Sequence, residues 1–231
     1  MTTVLITSGP TRQYIDPIRY LTNASSGRMG AALAAAALAE GFDVLVVSGP
    51  VEVAYPRGAT VHSVLTTEDM LAKALELLPL CDGVIGVAAA CDYRPITVAS
   101  HKLSKEEMLR AGEKEASFCL KLIETPDVMA TLATHRRSER TQWLVGFALE
   151  TNDHRAHALQ KLQRKCCDLI VLNDSRAINS HETEVEIIAD QGETVGTFSG
   201  TKRQVASGIM KLITQRLVNS EKPTLIEEES I

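Results

Sequence analysis

The sequence is poor in aromatic residues and contains no long apolar run. Aromatics make up 4% of the 231 residues, so a folded core must be packed mainly from aliphatic side chains. No apolar stretch approaches the roughly 18 residues that a membrane-spanning helix needs, and the N-terminus shows no signal-peptide pattern. We therefore expect a cytoplasmic protein that does not partner a membrane.

A surplus of basic residues is also lacking. The chain carries 24 Lys and Arg residues against 29 Asp and Glu residues, which gives a net charge of −5. Proteins that bind nucleic acid through its phosphates usually show the opposite balance. Nucleic acid is therefore not an expected partner, and any anion site must be local.

The five cysteines, at positions 81, 91, 119, 166 and 167, have no paired metal-ligand spacing. Their odd number and irregular spacing favour reduced thiols over a disulfide framework. The adjacent pair Cys166-Cys167 leaves a redox role open, but buried packing at a helix-to-strand junction is the favoured interpretation.

Neither standard nucleotide signature is present. The chain has no G-x-x-x-x-G-K-[ST] run, and the turn after the first strand reads Ser8-Gly9-Pro10-Thr11 rather than G-x-G-x-x-G. A conventional P-loop enzyme and a conventional dinucleotide-binding reductase are both disfavoured.

Apolar runs do alternate with amphipathic stretches along most of the chain. This pattern predicts an α/β fold: a Rossmann-like, doubly wound, mainly parallel sheet with helices on both faces and a C-terminal β-hairpin. We expect one domain over residues 1–218 and a flexible acidic tail over 219–231. The expected strands cover residues 4–7, 43–48, 60–64, 82–90, 119–123, 143–149 and 168–172, and the hairpin covers 184–189 and 194–199. The expected helices cover 31–40, 66–78, 154–165 and 202–217, with another that begins at Thr125 as N-cap and Pro126 as first residue.

The segment over residues 19–30 (RYLTNASSGRMG) is the leading candidate for a ligand site. Small residues there precede a helix whose first N–H groups carry partial positive charge, an arrangement that suits a phosphate. The alternative is structural: Ser25 or Ser26 caps the helix, and Gly27 and Gly30 permit close packing. Arg19 and Asn23 favour the ligand site, since a capping turn needs neither. The loop over residues 12–24 is also longer than most connections.

Three further features stand out as candidates. Asp92 follows an apolar strand where open α/β sheets bind ligands, although it could instead stabilise a turn. Lys102 lies at the base of a charged segment over residues 101–114, which is either a lid or an ordinary solvated face. Lys161 and Lys165 are four residues apart on a predicted helix, where they repel unless an anion lies between them; two ordinary surface lysines are the alternative.

Taken together, these motifs resemble phosphopantothenoylcysteine synthetase, the phosphopantothenate–cysteine ligase of coenzyme A biosynthesis. The resemblance extends over residues 4–217. Its motifs occur at residues 7–11 (TSGPT), 16–19 (DPIR), 23–30 (NASSGRMG), 88–94 (AAACDYR), 102, 126–128 (PDV), 145–151 (VGFALET), 161 to 165 and 168–174 (DLIVLND).

The resemblance implies a two-step ligation through an acyl-nucleotide, with CTP as the expected nucleotide and ATP as the alternative. Asn23 and Lys102 would be catalytic. The implied phosphopantothenate-binding residues are Gly9, Arg19, Ser25, Gly27, Gly30, Ala88, Ala89 and Asp92. The implied nucleotide-binding residues are Gly86, Val87, Ala88, Asp92, Lys102, Pro126, Asp127, Val128, Met129, Phe147, Lys161 and Lys165.

The resemblance also implies Mg²⁺ with the triphosphate and a homodimer with some site residues supplied by the neighbouring subunit. Because the chain begins at its own first strand, we expect ligase activity alone and no flavin. Two departures from the family pattern are Ser8-Gly9-Pro10, where Gly-Gly is common, and a longer lid after Lys102. The competing interpretations are a non-catalytic nucleotide or phosphate sensor and, with less support, an NAD(P)-dependent reductase.

Overall fold

The molecule is built on an eight-stranded sheet. The computed structural model describes residues 2–104, 119–136, 142–150, 154–174, 183–189 and 192–219. Within these residues the strands are β1 (Thr3–Ser8), β2 (Arg12–Tyr14), β3 (Tyr20–Thr22), β4 (Asp43–Ser48), β5 (Thr60–Ser63), β6 (Gly83–Gly86), β7 (Tyr93–Pro95), β8 (Leu122–Glu124), β9 (Trp143–Glu150), β10 (Leu169–Asp174), β11 (Thr183–Ala189) and β12 (Thr194–Gly200). The α-helices are α1 (Arg28–Ala39), α2 (Thr67–Leu77), α3 (Val128–Thr134), α4 (His154–Arg164) and α5 (Lys202–Ile213).

The large sheet has the strand order β12-β11-β10-β9-β6-β1-β4-β5. The six strands from β10 to β5 run parallel, whereas β11 and β12 form the antiparallel hairpin expected from the sequence. From β1 the chain winds outward through β4 and β5, and then returns to add β6, β9 and β10 on the other side. The order therefore reverses between β1 and β6, and the carboxyl ends of the strands at such a reversal are where open α/β sheets bind ligands.

Alternate residues of each central strand face opposite sides of the sheet, and each side is covered by helices. On one face Val4 and Ile6 of β1 belong to a buried cluster with α1 and α5. On the other face Leu5 belongs to a cluster with α2 and α3. Helix α4 covers the second face at the level of β9 and β10. This arrangement confirms the doubly wound α/β fold predicted from the sequence.

Two small antiparallel ribbons lie outside the large sheet, and the sequence analysis did not predict them as such. The segment over residues 12–24, expected to be a loop, contains the pair β2 and β3. The strand expected over residues 119–123 is β8, which starts at Leu122 and pairs with β7 instead of joining the sheet. Both ribbons are too short to show a clear alternation of apolar and polar residues, which explains why the sequence pattern missed them.

Several helix boundaries differ from those predicted. Helix α1 starts at Arg28 rather than at Ala31, and α3 has Asp127 rather than Thr125 as its N-cap. The Asp127 carboxylate caps the helix by accepting a hydrogen bond from the Ala130 N–H, so the helix starts two residues later than predicted. The last helix ends at Ile213 and continues as a π-turn over Thr214–Val218.

Other local predictions are confirmed. Thr66 and Asp69 form the expected capping box of α2, and Gly41 has the left-handed conformation expected after α1, with a φ of 83°. No helix among the described residues is long and apolar enough to cross a membrane. The greater part of the predicted lid, from residue 105, and the tail from residue 220 lie outside the residues that the structure describes.

Candidate active site

The candidate site lies at the carboxyl ends of β1 and β6, where the strand order reverses. Pairing of the two strands continues past their ends: the Val87 N–H donates to the Thr7 carbonyl (3.1 Å) and the Ala89 N–H donates to the Gly9 carbonyl (2.9 Å). An isolated parallel bridge joins Pro10 to Ala89. The predicted substrate residues Gly9 and Ala89 are therefore held side by side by their main chains.

Asn23 is anchored on this extension. Its Nδ2 amide group donates to the Ala89 carbonyl (3.1 Å) and to the Ala90 carbonyl (3.0 Å). Because both partners are acceptors, the amide must present its Nδ2 group to them. The Oδ1 atom is then left to accept a hydrogen bond from another group. The sequence singled out Asn23 as a catalytic candidate, and the structure joins it directly to the predicted substrate residue Ala89.

Helix α1 begins beside this point without a side-chain cap. Gly27 occupies the N-cap position with a φ of 72°, and among the residues that the structure describes no side chain caps the first turn. Ser25 and Ser26 are therefore not the capping residues that the structural alternative required. The first-turn N–H groups have no partner within the helix, so this end retains its partial positive charge.

Gly30 brings the first turn of α1 close to the end of β1. A Cβ atom at this position would lie 2.0 Å from Ser8 Oγ, so any side chain would force the helix away from the strand. Ser8 Oγ accepts a hydrogen bond from the Tyr55 hydroxyl (2.8 Å), which in turn lies 2.8 Å from Ser48 Oγ. Close packing is thus one function of Gly30, as the structural alternative proposed.

A second set of hydroxyl contacts, which the sequence analysis missed, holds the chain on the way to Asp92. Thr11 Oγ1 accepts from the Cys91 N–H (2.8 Å) and lies 2.9 Å from Thr67 Oγ1, which donates to the Cys91 carbonyl (3.1 Å). The Asp92 carbonyl accepts from the Thr125 N–H (2.9 Å). Asp92 itself is exposed at the carboxyl edge of the sheet. Threonines at strand and helix ends are common, so no sequence signal marked this network.

Arg19 is engaged differently from the prediction. Its Nε and Nη2 atoms donate to the carboxylate of Asp16 (2.9 and 2.6 Å), and Nη2 also donates to the Leu103 carbonyl (2.6 Å). The structure therefore places Arg19 in an ion pair beside Lys102, whereas the resemblance implied a contact with the pantothenate arm. Asp16 is part of the motif over residues 16–19, but its partner Leu103 could not be read from the sequence.

The Asp16 carboxylate is fully buried. Burial by itself raises the pKa of a carboxyl group, but hydrogen bonds from the Ile18 N–H, the Arg19 side chain, the Leu103 N–H and the Arg19 N–H outweigh it. The net effect holds the pKa of Asp16 far below its ordinary value. The group is therefore ionised in the folded protein at neutral pH.

The predicted nucleotide-binding residues differ in whether their side chains are accessible to a ligand. Val128 and Met129 are buried in the core cluster under α2, and Met129 packs against Gly86, where a Cβ would lie 2.3 Å from Met129 Sδ. Side-chain contact between these residues and a nucleotide is therefore not available in this structure. Pro126 and Asp127 are half-buried at the start of α3.

The two lysines that were predicted to bind the nucleotide phosphates also lie in different surroundings. Lys165 lies just beyond the end of α4, and its Nζ atom is 3.2 Å from Asp127 Oδ1. Lys161 lies within α4, on the second face of the sheet. Phe147 of β9 packs against the core on the first face, so the structure does not bring Phe147 and Lys161 together.

Comparison with known proteins identifies the family. The family described as "DNA/pantothenate metabolism flavoprotein C-terminal domain" matches residues 1–217. The coenzyme A biosynthesis bifunctional protein CoaBC of Vibrio vulnificus is 37% identical over 194 residues, which are 82% of this chain and 46% of that protein. The protein of the same name from Bacillus subtilis is 41% identical over 175 residues, covering 75% of this chain and 40% of that protein. This chain thus spans about half the length of these curated relatives.

A solved structure with the same fold is the C-terminal domain of a coenzyme A biosynthesis bifunctional protein CoaBC. It is 34% identical, has a TM-score of 0.74, and the alignment covers 93% of this chain and 94% of that one. The sequence match and the fold agree with one another. The chain therefore belongs to the family of DNA/pantothenate metabolism flavoprotein C-terminal domains.

Proposed function

We propose that this chain is a phosphopantothenate–cysteine ligase that joins 4′-phosphopantothenate to L-cysteine in coenzyme A biosynthesis. One observation carries the proposal: Asn23 is fixed on the Ala89 and Ala90 carbonyls, directly before a helix that starts without a side-chain cap. This arrangement combines an anion site with a positioned amide oxygen at the carboxyl ends of β1 and β6. The family membership of the chain supports the same activity.

The phosphate of 4′-phosphopantothenate would bind at the start of α1. The first-turn N–H groups point out of the helix end. Gly27 and Gly30 let this turn pack closely, since a Cβ atom would lie 2.7 Å from Val51 Cγ1 or 2.0 Å from Ser8 Oγ. Ser25 would add a hydroxyl donor. Gly9, Ala88, Ala89 and Asp92 would line the path of the pantothenate arm along the carboxyl edge of the sheet. Arg19 would contact the pantothenate arm while its guanidinium remains paired with Asp16.

In the first step, a carboxylate oxygen of 4′-phosphopantothenate attacks the α-phosphorus of the nucleotide and pyrophosphate leaves. In the second, the amine of cysteine attacks the acyl carbon, loses a proton, and releases the nucleoside monophosphate as the amide forms. Negative charge develops on phosphoryl oxygens in the first step, where Lys102 would stabilise it. Asn23, whose Oδ1 can only accept, would orient a donor group of the reactants.

The nucleotide, CTP in our proposal and ATP as the alternative, would approach from the second face of the sheet. The start of α3, with Pro126 and Asp127, opens on that face, and the main chain of residues 86–88 runs beside it. Lys165 would exchange its ion pair with Asp127 for the phosphates, joined by Lys161 from α4. Phe147 packs against the core on the first face, so its side chain would not contact a nucleotide bound on the second face.

Mg²⁺ would accompany the triphosphate. Within the described ranges, no three His, Cys, Asp or Glu side chains converge on a common point. This suits an ion that takes most of its ligands from phosphate and water, with the exposed Asp92 as a candidate protein ligand. When bound, Mg²⁺ supplies charge neutralisation on the phosphoryl oxygens.

The ribbon formed by β7 and β8 supports a homodimer. Tyr93 and Leu122 are exposed on one face of the ribbon, and Ile123 is exposed on the other. A two-stranded ribbon is marginally stable alone, and exposed apolar side chains on both faces are typical of a surface that packs against a partner. A second copy of the chain, as the resemblance implies, is the proposed partner.

The direct test measures pyrophosphate release from the purified protein with Mg²⁺, 4′-phosphopantothenate and either CTP or ATP, with and without cysteine. We expect release with CTP, and cysteine-dependent formation of CMP and the amide product. The Lys102→Gln variant keeps a polar side chain, one bond shorter and without the charge, and it should release pyrophosphate far more slowly while remaining folded. Nucleotide binding without release from the folded wild-type protein would contradict the ligase and favour a sensor.

A further inference from the structure

We propose that Asp16 is a positioning residue that fixes Lys102 through the main chain of Leu103. Two side chains of the β2–β3 turn, Asp16 and Arg19, bind both polar main-chain groups of the residue that follows Lys102. We call this set of contacts the Leu103 clamp. The inference rests on the proposed function in one respect, since it takes Lys102 to be the residue that stabilises charge on the phosphoryl oxygens of the nucleotide.

Both polar main-chain groups of Leu103, its N–H and its carbonyl, are hydrogen-bonded in the clamp. Asp16 Oδ2 accepts from the Leu103 N–H (3.2 Å), and Arg19 Nη2 donates to the Leu103 carbonyl (2.6 Å). A further main-chain hydrogen bond joins the Ala99 N–H to the Ile15 carbonyl (3.0 Å), just upstream. The chain on both sides of Lys102 is thus tied to the same turn.

Asp16 is itself held rigidly. Its Oδ1 atom accepts from the Ile18 N–H (3.0 Å) and the Arg19 N–H (2.9 Å), while Oδ2 receives the Arg19 guanidinium. The carboxylate is completely buried, and a buried charge left without its partners is strongly unfavourable. Neither Asp16 nor Arg19 can therefore leave the clamp without a large loss of stabilising contacts.

This rigidity matters for a lysine at the surface. The Lys102 side chain is exposed and has four rotatable bonds, so its ammonium group searches a large volume unless its backbone is fixed. Holding Leu103 fixes the direction in which the Lys102 side chain leaves the backbone. A misplacement of about 1 Å in a positioned group can lower an enzyme rate about 100-fold, so the clamp has kinetic consequences.

The first test follows the backbone and requires no enzymatic activity. In Asp16→Asn the carboxamide can still accept from the turn but no longer pairs with Arg19. We expect amide hydrogen exchange in a peptide spanning residues 99–104 to become at least about tenfold faster, because exchange follows local opening. Asp168→Asn is the matched control, since Asp168 accepts from the Leu144 N–H (2.6 Å) and pairs with Arg136 at the opposite edge of the sheet. It should leave exchange in this peptide unchanged.

The second test separates positioning from general stability. For Asp16→Asn we expect the kcat of pyrophosphate release to fall about 10- to 100-fold with little change in the KM for CTP. In a Lys102→Gln background, the same substitution should cause no further loss, since the group being positioned is gone. Arg19→Lys keeps a positive charge beside Asp16 but loses the planar guanidinium with its several donors. It should show a smaller fall in kcat of the same kind. It replaces Asp16→Asn if that variant does not fold.

Unchanged exchange in residues 99–104, an unchanged kcat, or a full additional loss in the Lys102→Gln background would each overturn the inference. An inactive wild-type protein would count against the proposed function alone. In that case the exchange experiment still decides whether Asp16 holds Leu103.

Discussion

At the scale of single residues, the site depends on short side chains that hold the main chain in place. Thr11 and Thr67 bind both main-chain groups of Cys91, and Asn23 binds the two carbonyls just before it. The sequence pointed to Asn23 because an asparagine before a glycine-rich helix start has no structural need. It could not reveal the partners, since main-chain carbonyls have no signature in a sequence.

The cysteines fall into two classes that predict their reactivity. Burial, with a contribution from Asp82, raises the pKa of Cys81 to about 12, and burial raises the pKa of Cys167 to about 11. Burial likewise raises the pKa of Cys91. Cys119 and Cys166 are exposed, so the expectation of buried packing holds for Cys167 and is wrong for Cys166.

Iodoacetamide at pH 8 should therefore label Cys119 and Cys166 at least about tenfold faster than the three buried cysteines, because the thiolate is the reactive form. The measurement is a time course of alkylation followed by peptide mass spectrometry. In denaturant the five cysteines should react at similar rates, which serves as the control. Rapid labelling of Cys81 in the folded protein would contradict its assignment to the core.

Asp16 predicts how the stability of the protein responds to acid. Its pKa is lowered on folding, so the ionised carboxylate stabilises the folded state at pH values above the ordinary carboxyl pKa of about 3.9. That contribution is lost as the pH falls below this value towards the lower pKa of the folded state.

The difference in free energy of unfolding between the wild type and Asp16→Asn should be constant between about pH 7 and pH 5, and should shrink below about pH 4. Urea-induced unfolding at a series of pH values measures it. A difference that stays the same at about pH 3 would mean that the Asp16 carboxylate is not strongly stabilised in the ionised form.

At the scale of elements, the sequence predicted the types of the long elements better than the ends of the short ones. Strand β1 and helix α2 are recognisable because their apolar spacing continues over a whole element. Helix α3 is only seven residues long, and Thr125-Pro126-Asp127 offers two capping residues that are two positions apart. Tertiary contacts decide between them: the Thr125 hydroxyl donates to the Cys91 carbonyl, which leaves Asp127 as the cap.

The cap of α3 can be separated from its ion pairs by two substitutions. Asp127→Ala removes the acceptor for the Ala130 N–H and should lower the free energy of unfolding by about 1 kcal/mol. Asp127→Asn keeps the acceptor and removes only the pairs with Arg164 and Lys165. Pairs of this kind contribute at most about 1 kcal/mol, and we expect the asparagine variant to lose less than the alanine variant. Equal losses in urea-induced unfolding would show that the ion pairs, rather than the cap, stabilise the start of α3.

At the scale of the whole molecule, the doubly wound sheet follows from the sequence because alternating strands and helices allow few other arrangements. The position of the candidate site follows less directly from the sequence. The reversal between β1 and β6 depends on strand order, and Asp16 contacts Leu103 from the turn of a ribbon that the sequence did not predict. Contacts over such separations have no local pattern. The family resemblance, rather than spacing, brought Arg19 and Lys102 into one hypothesis.

The proposed dimer is a prediction at this scale. We expect the wild-type protein to sediment as a dimer, and Leu122→Asp to sediment as a monomer, because a charge on the ribbon of β7 and β8 would be buried without a partner. Leu80→Asp is the matched control, since Leu80 is also exposed but lies just before β6, at the opposite edge of the sheet. A monomeric wild type by analytical ultracentrifugation at micromolar concentration would contradict the dimer, as would a dimeric Leu122→Asp.

The anchoring of Asn23 on main-chain carbonyls has a consequence for inhibition. Exchanging the side chain at position 89 or 90 leaves both carbonyl oxygens in the chain, so a single mutation there cannot delete them. A compound that displaces Asn23 and binds those oxygens itself would contact atoms that every amino acid supplies. Resistance by point mutation would then require added bulk beside the compound, in the site that we propose for the substrate.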